Sequence, residues 1–211
     1  MNGKRVFAGF FGTIIAIVEI GLLSGCATDK NSLALTQIAM SDKQKGWALT
    51  AENELLHTTS GIENFTCVKT FEKTLPVSEG EISLCAVDEN TAYTAYFSMD
   101  GENILVEYTT DAGENWEHTA VSYASYGGAY KAYLSFTDRE HGYLLYCSDP
   151  GAGMMTKILF STEDGGETWT PQQELECDGA LSYDFFSEND GYLIDETGCL
   201  LPLKASAGTT R

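Results

Sequence analysis

The chain has 211 residues, with 31 acidic against 12 basic side chains and a formal net charge of −19. A field of that sign repels phosphate backbones, so no nucleic-acid partner is expected; solubility, a cationic partner or Ca²⁺ fits it better. The length allows one domain with a sizeable core, and 21 glycines, 11 tyrosines and 10 phenylalanines beside four prolines suit short strands joined by tight turns.

Taken in order, residues 1–25 read as an export signal, expected as an N-terminal helix: Lys4 and Arg5 form the charged region, and an apolar run from Val6 to Leu23 follows. Leu23-Ser24-Gly25-Cys26 resembles the bacterial lipobox. The resemblance implies cleavage before Cys26 and acylation there, which would hold the protein at the extracytoplasmic side of a bacterial cell membrane without spanning it. The alternative is an uncleaved anchor, for which 18 apolar residues, with Glu19 among them, are near the lower limit. Loss of Lys4, Arg5 and Glu19 with the leader takes the charge to −20. Residues 26–31 read as a tether, and residues 32–211 as the folded domain.

Two units recur in that domain, and a fixed period decides the fold. The first runs from strand into polar turn: Ala39 to Trp47 aligns with Cys85 to Tyr93, Ser135 to Tyr143 and Asp184 to Tyr192. Its aromatic ends, Trp47, Tyr93, Tyr143 and Tyr192, lie 46 to 50 residues apart. The second is a turn that delivers a tryptophan. Thr109-Thr-Asp111-Ala-Gly113-Glu-Asn-Trp116 and Thr162-Glu-Asp164-Gly-Gly166-Glu-Thr168-Trp169 share the pattern Thr-x-Asp-x-Gly-x-(Thr/Asn)-Trp. Asp can accept from backbone N–H groups of such a turn, Gly tolerates positive φ, and Trp buries a ring whose N–H needs an acceptor.

These boxes resemble the Asp-box (BNR) repeat of sialidase-like β-propellers. The resemblance implies an all-β, propeller-like array with the box between the third and fourth strands of each blade, on the rim away from the usual binding face, so Asp111 and Asp164 are read as structural. A worn box stands at Thr58 to Phe65, with Ser60 for Asp. In the fourth repeat Gly208 and Thr210 keep their places but Arg211 replaces Trp. The repeats are 32–79, 80–127, 128–178 and 179–211: about four blades, three complete and the fourth lacking its outer strand. Either residues after Cys26 supply that strand and close a ring, or the chain is a piece of a longer propeller.

Cys67, Cys85, Cys147, Cys177 and Cys199 are an odd number in an exported chain. Cys67 with Cys85, and Cys177 with Cys147 or Cys199, are the expected pairs. His57, His118 and His141 are dispersed, and no zinc site is expected. Sialidases clamp a substrate carboxylate with three arginines; beyond the leader only Arg139 and Arg211 are present, and lysine does not replace the bidentate fork. No nucleophile elbow, phosphate loop or metalloprotease helix is found.

Tyr123, Tyr126, Tyr130 and Tyr133, around Gly127 and Gly128, are the candidate ligand face, with strand packing as the competing reading. Asp138, Glu140, Glu188 and Asp190 fall in matching turns as a candidate acidic ring. The expectation is a lipid-anchored propeller without catalysis or cofactor (Ca²⁺ excepted) that binds a protein partner in the envelope, as photosystem assembly factors of the resembled family do. The alternative is a glycan-binding or glycan-cleaving surface protein.

Overall fold

In a computed structural model, the structure describes residues 16–18, 33–61, 63–71, 82–148, 155–175, 180–187, 190–195 and 197–204. Among them there are sixteen strands and no helix. Four antiparallel meanders follow one another in chain order. The first sheet holds β2 (Leu33–Met40), β3 (Gly46–Thr50), β4 (Glu54–Thr58) and β5 (Thr66–Thr70). The second holds β6 (Ile82–Ala86), β7 (Ala92–Phe97), β8 (Asn103–Thr109) and β9 (Glu117–Ser122). The third holds β10 (Ala129–Phe136), β11 (Gly142–Ser148), β12 (Lys157–Thr162) and β13 (Thr170–Leu175). The fourth holds β14 (Ala180–Phe185), β15 (Asp190–Asp195) and β16 (Leu200–Lys204), with no fourth strand among the described residues.

The sheets pack face against face like propeller blades. Their first strands touch in succession, β2 with β6, β6 with β10 and β10 with β14. Each seam has its own core. Trp47, Leu49 and Leu55 meet Ile82, Leu84 and Tyr96; Tyr93, Phe97 and Val106 meet Leu134, Phe136 and Tyr146; Tyr143, Leu145 and Leu159 meet Tyr183, Phe185 and Leu193. A strand buried on both faces can be apolar throughout, which explains why β7 and β11 are buried along their whole length.

The recurring small-then-aromatic pair has a steric cause. Its aromatic crosses the seam: Tyr93 stacks on Phe136 at 3.6 Å and Tyr143 on Phe185 at 3.5 Å. Its small residue lies opposite the last residue of its own sheet's first strand, which in the third and fourth sheets is the phenylalanine that receives the preceding sheet's aromatic. The register pairs Met40 with Gly46, Phe136 with Gly142 and Phe185 with Gly191. A Cβ on Gly142 would stand 2.3 Å from the Phe136 ring. In the second sheet the first-strand residue is Ala86, and there its partner is Ala92.

β1 (Ala16–Val18) pairs antiparallel with β2. A signal helix is the sequence expectation for this stretch; these three residues are extended instead, because β-branched Ile17 and Val18 suit a strand and β2 offers an open edge. The rest of the leader, Cys26 and the tether lie outside the described residues, as does the fourth worn box at 205–211. No described helix is long and apolar enough to cross a membrane.

Candidate functional site

In a meander, successive turns alternate between the two ends of the sheet. The Asp boxes therefore share an end with the first-to-second-strand turns, and the segment carrying Tyr123 and Tyr126 lies at the other end.

At the Asp-box end the side chains build the scaffold. Asp111 Oδ1 accepts from Thr109 Oγ1 (2.8 Å) and from Asn115 N (2.9 Å), while its Oδ2 accepts from Asn115 Nδ2 (2.7 Å). Asp164 repeats this with Thr162 Oγ1 (2.6 Å), Thr168 N (2.9 Å) and Thr168 Oγ1 (2.6 Å). Gly113 N and Gly166 N donate back to the Thr109 and Thr162 hydroxyls, at φ of 91° and 97°. Both indoles donate to their own box, Trp116 Nε1 to Gly113 O and Trp169 Nε1 to Gly166 O, each at 3.1 Å. Each box then grips the neighbouring turn of its own sheet: Gly61 N donates to Gln44 O, Ala112 N to Asn90 O and Gly165 N to Glu140 O. The worn first box keeps this grip although Ser60 replaces its Asp.

The opposing turns carry their own caps. Asp42, Asp88 and Asp138 each accept two backbone N–H groups through Oδ1. Ion pairs join neighbouring blades here, Lys45 with Glu89 and Arg139 with Asp88 (2.7 Å). Of the acidic ring expected from sequence, Asp138 faces His141 at 3.0 Å and Asp190 pairs with Lys204. Glu140 is exposed, and Glu188 lies outside the described residues. Among the described residues no group of three or more His, Cys, Asp or Glu is placed to hold a metal ion.

Hydrogen bonds from Ser98, Glu102 N and Asn103 hold Asp100 down to about 2. The Asn115 side chain and backbone, then Thr109, lower Asp111. At Asp164 burial opposes ionisation, but donors from Thr162 and Thr168 outweigh it. A carboxylate with a depressed folded-state value stabilises fully above its unfolded value near 3.9 and loses that contribution as pH falls through the folded one. The urea midpoint is accordingly expected to drop between pH 4 and pH 2, followed by circular dichroism. Asp164→Ala at pH 7 removes the acceptor for three donors in an exposed turn. It is expected to cost about 1 kcal/mol in urea unfolding, far less than a buried charge would.

The four candidate tyrosines do not form one exposed surface. Tyr123 and Tyr133 are each 1% exposed and belong to different seams. Tyr123 stacks on Tyr146 at 5.1 Å, and Tyr126 reaches Tyr146 and Phe160 in the same seam. Tyr133 and Tyr130 face the next seam, where Lys131 Nζ lies 4.8 Å over the Tyr133 ring. The bulge between Ala129 and Lys131 resets the alternation of side chains along β10, which a spacing count does not reveal. Tyr126 and Tyr130 remain half-buried. At the same end the 98–102 turn, held to Tyr123 N through Glu102 O, presents exposed Met99.

The expected Cys67–Cys85 bridge is not formed. Cys67 is an exposed thiol on the outermost strand β5, contacting Lys69 O, whereas Cys85 lies on the innermost strand of the next sheet. Cys199 is an exposed thiol too, Cys147 is buried, and Cys177 lies outside the described residues. Lys157, fully buried in the third sheet, drew no notice in the sequence; its charge helps lower Asp195 behind the Thr197 and Cys199 donors.

No family model and no curated protein matches the chain. Solved structures do. YCF48 from Cyanidioschyzon merolae is 17% identical with a TM-score of 0.50, over 84% of this chain and 52% of that one. YCF48 bound to D1 peptide is 12% identical with a TM-score of 0.45, over 89% and 69%. The xyloglucanase of family GH74 from Xanthomonas campestris is 11% identical with a TM-score of 0.41, over 84% and 38%. The likeness is one of fold, a β-propeller, and this chain spans about half the length of the Cyanidioschyzon merolae protein.

Proposed function

We propose that the chain is a non-catalytic, lipid-anchored extracytoplasmic module that binds a protein partner through the end of the blades opposite the Asp boxes. The observation that carries this is the division of labour between the two ends. Box and turn side chains at one end are committed to holding the scaffold, while at the other Met99 and Glu102 are exposed in the 98–102 turn and Tyr126 and Tyr130 are half-buried. An apolar and acidic surface of this kind suits a partner with apolar and cationic side chains. Anchoring through Cys26 would keep it at the bacterial cell membrane, and the function needs no cofactor.

The second reading, glycan binding or cleavage, is favoured by the same half-exposed tyrosines, since aromatic faces stack on sugars. One pair of experiments separates the two. The protein reading expects capture of a specific protein from solubilised envelope, weakened by salt and lost in Tyr126→Ala/Tyr130→Ala with the circular dichroism spectrum intact. Release of sugar from cell-wall or host glycans, abolished by a single carboxylate substitution, would replace it with the glycosidase reading.

A further inference from the structure

The sheets repeat one pattern of side chains, and the seam between the first and second sheets breaks it. On the rung two residues in from the small residue that opens each second strand, the third strand carries Leu56 in the first sheet, Phe160 in the third and Leu201 in the fourth, but Glu107 in the second. Where the outer strands of the second and third sheets place Thr119 and Gln173, that of the first places Lys69. The two exceptions meet: Lys69 Nζ lies 3.2 Å from Glu107 Oε2, with the side chains 21% and 17% exposed. Two ring faces complete the surroundings of the ammonium, Trp116 with its centroid at 4.7 Å and Phe71 at 5.6 Å, inside the roughly 6 Å over which a ring face attracts a cation. Tyr96 meets Phe71 edge-on at 5.4 Å, and its hydroxyl donates to the Glu107 carboxylate.

Stability does not account for the exchange. Leu56 and Phe160, each 3% exposed, fill their places with apolar atoms, whereas a part-buried ion pair loses hydration on both partners and is often matched or bettered by apolar side chains of similar volume. A pattern broken at a cost marks a site. The walls are set without Lys69: Trp116 Nε1 donates to Gly113 O, Phe71 N donates to Asn53 O, and the Glu107 carboxylate accepts from Tyr96. Lys69 enters from the edge strand β5, next to exposed Thr70, on a flexible four-carbon stem. We propose that Glu107, Trp116 and Phe71 form a binding site for alkylammonium groups, the class to which a lysine side chain of another protein belongs, and that Lys69 is its built-in occupant, displaced when an outside cation enters. The site is separate from the surface around Met99 and Tyr126 and does not rest on it. A tethered lysine acts at an effective concentration on the order of millimolar, so it holds off dilute cations and yields to one that brings further contacts.

The test is titration of the full chain, in mild non-ionic detergent, with n-butylammonium, read at the indole N–H resonance of Trp116. Lys69→Ala, with its circular dichroism spectrum intact, should show a saturable shift. The wild type should bind about tenfold or more weakly, because its own lysine competes. Adding Glu107→Gln to Lys69→Ala should weaken binding about tenfold or more, since the charged acceptor is lost. That comparison separates the site from the general attraction of cations to an acidic chain. Should Lys69→Ala not fold, the wild type taken to high n-butylammonium carries the test: a saturable Trp116 shift that Glu107→Gln removes supports the site, and none overturns it. The proposal also fails if folded Lys69→Ala gives no saturable shift, or gives one that Glu107→Gln leaves unchanged. Equal affinity in the wild type and Lys69→Ala would overturn the role of Lys69 as occupant.

Discussion

Tyr143→Ala is expected to lower the free energy of unfolding by about 3–5 kcal/mol, while Tyr192→Ala, the same repeat position one blade on, should stay within about 0.5 kcal/mol. Both residues open the second strand of a sheet, and both follow a glycine. Tyr143 is 2% exposed, stacks on Phe185 at 3.5 Å with rings 8° apart, and packs among Leu145, Leu159 and Tyr183. Truncation there leaves a cavity walled by two sheets that are each pinned elsewhere, so collapse is limited and the cavity cost adds to the lost transfer energy. Tyr192 is 47% exposed and stacks on Phe186, itself 58% exposed. Urea unfolding with linear extrapolation measures both. Equal losses would mean that the fourth sheet's Tyr192 face is covered in solution. If Tyr143→Ala were also mild, the seam between the third and fourth sheets would be wrong.

The repeat was legible because its chemistry is local. A Thr-x-Asp-x-Gly-x-(Thr/Asn)-Trp turn satisfies its own donors, so the eight residues carry the instruction without reference to the rest of the chain. The turn before each Trp47-type aromatic is similar, with Asp42, Asp88 and Asp138 capping their own backbone. What escaped the sequence is what depends on two distant stretches meeting. The four tyrosines were grouped by proximity along the chain, but a bulge at Ala129–Lys131 and the alternation of a strand sent them to two seams. Cys67 and Cys85 are 18 residues apart in sequence, yet they lie at opposite edges of neighbouring sheets. Of the acidic ring that the matching turns suggested, Asp138 faces His141 and Asp190 pairs with Lys204, each within its own sheet, while Arg139 reaches across to Asp88 of the neighbouring blade. The exposed face of the fourth sheet follows from the repeats only once the register shows which positions neighbouring sheets cover.

The glycine that opens the second strand offers the sharpest test of how this array is specified. Gly142 has no positive φ among the values that mark strained glycines, so Gly142→Ala meets no backbone penalty. Its cost is spatial: the new methyl would lie 2.3–2.7 Å from three ring atoms of Phe136. That ring cannot retreat, because Tyr93 stacks on its far face at 3.6 Å and Trp169 meets it edge-on at 6.0 Å. Overpacking of this kind is expected to cost about 1–3 kcal/mol. Phe136→Ala alone should cost about 3–5 kcal/mol through the lost stack. In the double variant the methyl at position 142 finds the room the ring left, recreating the Ala86–Ala92 pair that the second sheet already uses. The double variant should therefore be more stable than the sum of the two losses by about 1–2 kcal/mol, within the range of coupling for side chains in contact. Strict additivity in urea unfolding would show that glycine sits there for another reason. A coupling of the expected sign would establish that each blade matches the size of its small residue to the bulk of the side chain across the strand, which lets unlike sequences repeat one shape.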